Sequence, residues 1–555
     1  MNDWWKKAIV YQIYPRSFKD SNGDGIGDLK GITSKIDYLK SLGVDVIWLS
    51  PHFQSPNADN GYDISDYQAV MADFGTMEDF DEMLAAIHQN DMKLIIDLVV
   101  NHSSDEHRWF QEARKSKDNL YRDYYIWKPE IPNDWISFFS GNAWELDPLT
   151  NEYYLHLFLK KQPDLNWENP KLRQEVYSLM RFWLDKGVDG FRMDVISVIS
   201  KDLSFPNFPE GRFGDLNFYA NGPRVHEYLQ EMNREVLSQY DCMTVGEAFG
   251  VTAEQANQYV GKDRGELNMI YHFEHAVPRD EHCFVKPSAE FKLNELKAIF
   301  RKWDSAVGDD GWNTVYFGNH DNPRVISRFG DTEKYRKQSA KMIATILLTL
   351  RGTPYLYQGD EIGMSNCAFE SINEFEDVQV RNAYRALVVD GKNSEKAFLK
   401  ASNYIARDHA RTPMQWNKTK FGGFTEGKKT WLKVNPNYKQ VNVEQQEQDP
   451  DSVLNYYRAL IILRKKTDAL IYGEYIDLRP NCNRIWAYLR QMGKDKYLII
   501  NNFTDKEQEF NLTYLSSDLS FIFGNYAFKE SKVHGKKYKL RPYESQIYSI
   551  KKGSV

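Results

Sequence analysis

Eight short apolar runs, separated by helical patterns along the first two thirds of the chain, limit the fold more than any other feature. They are IVYQIYP from Ile9, VDVIWLS from Val44, KLIIDLVV from Lys93, VDGFRMDV from Val188, MTVGEAF from Met243, NMIYHFE from Asn268, NTVYFGN from Asn313 and TPYLYQG from Thr353. Apolar, β-branched runs of this kind suit parallel strands buried on both faces. The intervening stretches have helical spacing, as in LKGITSKIDYLKSLG from Leu29 and NPKLRQEVYSLMRFWLDKG from Asn169, the second opened by an Asn169–Pro170 start signal. Eight such units predict an α/β fold of the (β/α)8 TIM-barrel type.

One connection is too long for a loop. About 70 residues rich in Trp, Asn, Ser and Pro follow the third strand, which predicts an inserted subdomain. After the eighth strand the chain reads as further helices and loops, and from Tyr472 as short strands: RIWAYLRQ, KYLIINNFT, SFIFGNY and ESQIYSI. The expected organisation is a first barrel part over 1–101, an inserted subdomain over 102–168, a second barrel part with a helical extension over 169–471, and a C-terminal β-sandwich over 472–555.

A net charge of −7 argues against a general nucleic-acid binder, which needs a basic surface. No apolar run approaches roughly 18 residues, so no membrane span is expected, and MNDWWKKAIVYQIYP lacks the h-region of a secretory signal. Cys242, Cys283, Cys367 and Cys482 lie far apart without a CxxC pair. Free thiols in a reducing cytoplasm are the simplest reading, and a monomer is expected.

Ionisable groups collect at the C-terminal ends of the predicted strands, the face that carries barrel active sites. Strand three runs into Asn101 and His102, strand four carries Arg192 and Asp194, strand five ends at Glu247, and strand seven runs into His320 and Asp321. Each acid alone is better explained by a helix cap or a solvated loop. Three acids and two histidines on one rim point instead to a pocket. Two carboxylates about 5–5.5 Å apart make a retaining glycosidase, one attacking the anomeric carbon and the other protonating the leaving oxygen. The nucleophile must stay ionised, and Arg192, two residues before Asp194 on the same strand face, can supply the cation.

GFRMD, VGEAF, GNHDNPR and DLVVNHSS closely resemble the four signature regions of the α-amylase family of glycoside hydrolases (family 13). The resemblance runs over essentially the whole chain. QPDLNWENP, ARTPMQW and the short barrel loops resemble the oligo-1,6-glucosidase and dextran glucosidase branch. It implies Asp194 as nucleophile, Glu247 as acid/base and Asp321 as transition-state stabiliser. His102 and His320 would bind sugar hydroxyls. Asp59, Tyr62 and Asp63 in ADNGYD, with Arg411 in ARTPMQW, would close the pocket over a non-reducing terminal glucose. Gln162, which opens QPDLNWENP, and Arg192 complete the expected substrate-binding set. For Tyr62, a buried packing ring is an equal reading without the motif. No organic cofactor is implied.

Val195 follows the nucleophile. The resemblance associates valine there with a preference for α-1,6 bonds, and one methyl-scale contact is worth about 1–3 kcal/mol, so the preference is expected to be incomplete. Sucrose isomerases share the motifs but resemble one another in an RLDRD-like segment, of which HAVPRDEHCF from His275 keeps only a fragment. Trehalose-6-phosphate hydrolases would need extra cations near the pocket, and no clear cluster stands out in the sequence. A non-catalytic relative would have degraded acids, whereas all three are present.

The stretch DSNGDGIGD fits part of a calcium-loop template. Asp20, Asn22 and Asp24 take positions one, three and five, Gly25 six, the Ile26 carbonyl seven and Asp28 nine, but Gly31 replaces the bidentate Glu at twelve. By spacing alone it is a metal site or a polar turn. The family resemblance implies a structural Ca²⁺ held by Asp20, Asn22, Asp24, Asp28 and the carbonyl of Ile26. Mg²⁺ with water in the open positions also suits such a loop.

Overall fold

All eight predicted strands form, and all lie in one sheet. A computed structural model describes residues 3–276, 284, 292–511, 518–527 and 537–551. The strands are β1 Val10–Ile13, β2 Val46–Leu49, β3 Lys93–Leu98, β4 Gly190–Met193, β5 Met243–Glu247, β6 Met269–Tyr271, β7 Thr314–Val315 and β8 Thr353–Tyr357. Each pairs in parallel with its neighbours, β1 with both β2 and β8. A parallel bridge from Ile270 to Asn313 joins β6 to β7 and closes the barrel.

The two-residue period of the strands sorts their side chains into an inner and an outer set. Val10, Val46, Ile95, Val245, Met269 and Tyr355 pack in one buried cluster. One step further along the strands, the same face carries Gln12, Trp48, Asp97, Arg192 and Glu247, all buried. An apolar plug therefore supports a polar layer at the C-terminal end of the barrel. At Gly190 a Cβ would stand 1.9 Å from the Met243 carbonyl oxygen, so β4 and β5 come this close only with glycine there.

The helix from Asn169 forms over Pro170–Asp185, and the Asn169 side chain accepts the N–H of Lys171. The pattern read as one helix from Leu29 divides into Leu29–Thr33 and Ile36–Leu42. Thr33 and Ser34 donate their hydroxyls back to the carbonyls of Leu29 and Gly31, at 2.9 and 2.6 Å, which competes with the helical ladder.

The insertion after β3 contains a three-stranded antiparallel sheet of Trp127–Lys128, Trp144–Asp147 and Glu152–Leu155. At the C-terminal end, Glu474–Asp477, Ile485–Met492, Asp495–Asn502, Asp518–Gly524 and Ser545–Lys551 form a five-stranded antiparallel sheet. Arg490 from this sheet is wholly buried and donates to the carbonyls of Thr349, Leu470, Ile471 and Gly473. It thus caps the C-terminal ends of the helices Arg336–Thr349 and Asp468–Ile471. No described helix is long and apolar enough to cross a membrane.

Candidate active site

Arg192 organises the polar layer. Its Nη1 donates to Asp97 at 2.5 Å and to Asp194 at 2.7 Å, and its Nη2 donates to Glu247 at 2.5 Å. Nε reaches the Tyr271 hydroxyl at 2.8 Å. Asp194 and Glu247, from adjacent strands, are thereby held side by side on one guanidinium. Three acids share one cation in a buried place, and that charge imbalance favours keeping a proton there. Burial first, with the negative charge of Glu247 and Asp97, pushes the Asp194 carboxyl well above its usual range against the pull of Arg192, so Asp194 and Glu247 titrate as one pair that holds a single proton between its two carboxyls, leaving the other ionised. Asp97 rises to about 6, again mainly by burial.

The third acid has the opposite electrostatics. Asp321 accepts from Arg407 at 3.1 Å and Arg411 at 2.9 Å, and its second oxygen lies 3.1 Å from His320. Burial alone would raise its carboxyl, but His320 and these arginines outweigh it and hold the group well below the carboxylate range. Asp321 is therefore a fixed negative charge.

Both histidines are buried and neutral. Burial lowers His102 to about 4 and His320 to about 3. The Gln12 amide nitrogen lies 2.8 Å from Nδ1 of His320, which assigns the ring proton to Nε2, 2.6 Å from the Tyr62 hydroxyl. Tyr62 stacks on His320 with ring centroids 5.4 Å apart. Gln162 links the two sides of the pocket, its amide nitrogen 3.1 Å from both Asp59 and Nε2 of His102. Behind His102, the buried Lys201 ammonium binds Asn101 at 2.5 Å and Asp164 at 2.7 Å, tying the insertion to the end of β3. Val195 is buried in the cluster that contains Phe249.

Residues 12–473 match the model of the α-amylase catalytic domain, and residues 485–547 match the C-terminal domain of the α-amylase SusG. The chain belongs to the α-amylase family. It is 53% identical to an oligo-1,6-glucosidase of Bacillus cereus over 99% of each chain. It is 48% identical to a glucan 1,6-alpha-glucosidase of Streptococcus dysgalactiae subsp. equisimilis, over 91% of this chain and 92% of the other. Among solved structures, the isomaltulose synthase of Protaminobacter rubrum superposes with a TM-score of 0.95, at 45% identity and full coverage of both chains. The enzyme is thus a glycoside hydrolase by family, and the barrel and the C-terminal β domain fall within the two matched domains.

Two expected pocket residues of this enzyme sit elsewhere than the sequence reading placed them. Asp63 is 0% exposed and accepts from Ser55 and from the backbone N–H groups of Ala58 and Asp59, so it shapes the ADNGYD turn without facing the pocket. Arg411 points Nε at the His320 carbonyl and Nη2 at Asp321, away from Asp59. The arginine that faces Asp59, at 3.8 Å, is Arg407, and Asp377 holds it through two nitrogens at 2.8 and 2.5 Å. Burial outweighs both arginines at Asp59 and raises its carboxyl to about 7. Sequence reasoning missed Arg407, Asp377, Gln12 and Asp97. Only Asp97 carried a signal, a lone charge inside the apolar run KLIIDLVV. Of HAVPRDEHCF, only His275, Ala276 and Phe284 lie within the described residues.

The DSNGDGIGD loop follows β1 on the catalytic face. Asp20, Asn22 and Asp24 each accept the N–H two residues on, at 2.9, 2.9 and 2.7 Å, in three successive Asx turns. Asp28 accepts from Ser21 and Gly31. Among the described residues no three His, Cys, Asp or Glu side chains converge to hold a metal. Asp20, Asp24 and Asp28 are among these: their carboxylates do not converge and accept backbone N–H groups instead, so only the chemistry of the donor set, all oxygen with three acids, suits a hard cation. The loop is tied to the segment after Arg411 by bonds from Asp20 N–H to the Phe424 carbonyl and from Trp431 N–H to the Gly25 carbonyl, both 3.0 Å.

Proposed function

We propose that this enzyme is a retaining, exo-acting α-glucosidase that removes terminal non-reducing glucose from short α-glucosides and prefers α-1,6 bonds. The reading is carried by the Arg192 fork, which sets Asp194 and Glu247 side by side as a double displacement requires. Asp194 attacks C1 while the glycosidic C1–O bond breaks and the leaving oxygen takes a proton from Glu247. Water then gives a proton to Glu247 and attacks C1, releasing Asp194. The fixed negative charge of Asp321 faces the cationic sugar of both transition states. Asp59, Arg407, Tyr62 and Gln162 form the wall behind the terminal glucose, which accounts for attack from the chain end only.

Val195 and the relatives named oligo-1,6-glucosidase support the α-1,6 preference. The test is the ratio of kcat/KM for isomaltose to that for maltose, expected above one, with α-glucose as first product. Equal or reversed values would overturn the linkage claim.

A second reading, sucrose isomerisation, is favoured by the likeness to solved isomaltulose and trehalulose synthases. Mainly isomaltulose or trehalulose from sucrose would support it, and free glucose and fructose would count against it. Trehalose 6-phosphate belongs in the same panel, because Arg16, Arg381 and Arg385 line a cavity of about 500 Å³ beside Asn57 and Asn60.

The proposal includes a structural Ca²⁺ in the DSNGDGIGD loop, where it would stiffen the loop without touching sugar, with Mg²⁺ as a competitor. It also includes a monomeric, cytoplasmic enzyme, consistent with free thiols at Cys242, Cys367 and Cys482.

A further inference from the structure

Val195 sits in the left-handed backbone region, with φ 36° and ψ 39°. A β-branched residue avoids this region, because its Cβ crowds the adjacent carbonyl oxygen. Packing holds the turn in place: the side chain is buried with Ile126, Trp135 and Phe249, and Val198 N–H binds the Val195 carbonyl at 3.0 Å. The conformation aims the Val195 N–H at Oε2 of Glu247, 3.0 Å away. Nη2 of Arg192 donates to that same oxygen.

We propose that the strained turn at Val195 is a positioning element for acid catalysis, binding Oε2 together with Arg192 so that Oε1 is the oxygen that carries and delivers the proton. The proposal rests on Glu247 being the acid/base. An oxygen that accepts two strong donors is the poorer place for a proton, so the acid form carries it on Oε1. When the C1–O bond breaks, its electron pair goes to the leaving oxygen, which takes the proton from Oε1. The charge left on Glu247 then falls next to two donors already in place, with no reorganisation. In the second step Oε1 takes the proton back from water. Val195 thus has a backbone role separate from any contact of its side chain with the +1 sugar.

The α-hydroxy acid analogue of valine at position 195 removes the N–H, since it replaces the amide by an ester and keeps the side chain. Val195→Gly keeps the N–H and favours positive φ. Each is compared on isomaltose, whose leaving group needs a proton, and on 2,4-dinitrophenyl α-glucoside, whose leaving group does not. The ester enzyme is expected to lose about 100-fold in kcat/KM on isomaltose and less than about 5-fold on the aryl glucoside, whereas Val195→Gly, which keeps the donor, should lose by a similar factor on the two substrates. The alkaline limb of the isomaltose profile should move to higher pH when the donor is lost. In the ester enzyme, equal losses on both substrates or no loss on isomaltose would overturn the proposal. Failure of the underlying reading is distinct: in that case Glu247→Ala would keep the parent rate on isomaltose.

Discussion

Arg407 grips Asp377 through two nitrogens, at 2.5 and 2.8 Å, and in that position it also faces Asp59. A bidentate pair fixes a guanidinium in plane and direction. Asp377 thus holds the arginine that closes the pocket. Arg407→Ala is expected to lower kcat/KM on isomaltose by at least about 100-fold and to admit substrates blocked at the non-reducing end. Hydrolysis of an end-blocked maltoheptaoside chromogen measures the second effect, and unchanged exclusion of it would refute the role.

Asp59 keeps its proton to about 7 in the folded protein, against an ordinary value of 3.8. Between these values the unfolded chain has released a proton that the native state still holds, so this group's contribution to stability falls as pH rises from about 4 to about 7. Asp59→Asn has no such dependence. The melting temperature of the variant relative to the parent should therefore increase from pH 5 to pH 8. A constant difference across that range would show that Asp59 is not raised.

Asp194→Ala should reduce hydrolysis of any α-glucoside by about four orders of magnitude or more, while leaving the melting temperature within a few degrees of the parent. Retained activity on a chromogenic α-glucoside would remove the site assignment as a whole.

If the loop after β1 binds calcium, chelation should lower the melting temperature and Ca²⁺ should restore it, with one metal per chain in the purified protein. Because the ion would act through the loop and the segment near Arg411, activity at low temperature should change less than stability. An unchanged melting temperature together with no detectable metal would leave the Asx turns as the full account of the loop.

Arg490 donates to four buried carbonyls at the junction of the C-terminal sheet with the barrel helices. Arg490→Ala leaves them without this donor and should cost about 3 kcal/mol or more. Denaturant melts should show the loss, while kcat on isomaltose per folded molecule stays near the parent. A stability within about 0.5 kcal/mol of the parent would mean that other donors replace the arginine.

Strand count, strand faces and the three acids were readable in the chain itself, because they depend on short-range periodicity. Apolar runs separated by helices specify parallel strands, and a two-residue period puts Arg192 and Asp194 on one face. The motifs around Asp194, Glu247 and Asp321 then point to one chemistry. What only the folded molecule decided are contacts between segments far apart in sequence. Asp59 meets Arg407, Asp97 meets Arg192, and Gln12 meets His320, and no local pattern announces any of these pairs. The same holds for Arg411 and Asp63, which belong to the expected motifs but bind Asp321 and the ADNGYD turn. Local propensity determines which elements form and which way their side chains alternate. Which arginine faces which acid is decided by the closing of the barrel, where burial makes every unpaired charge costly and so selects the partner.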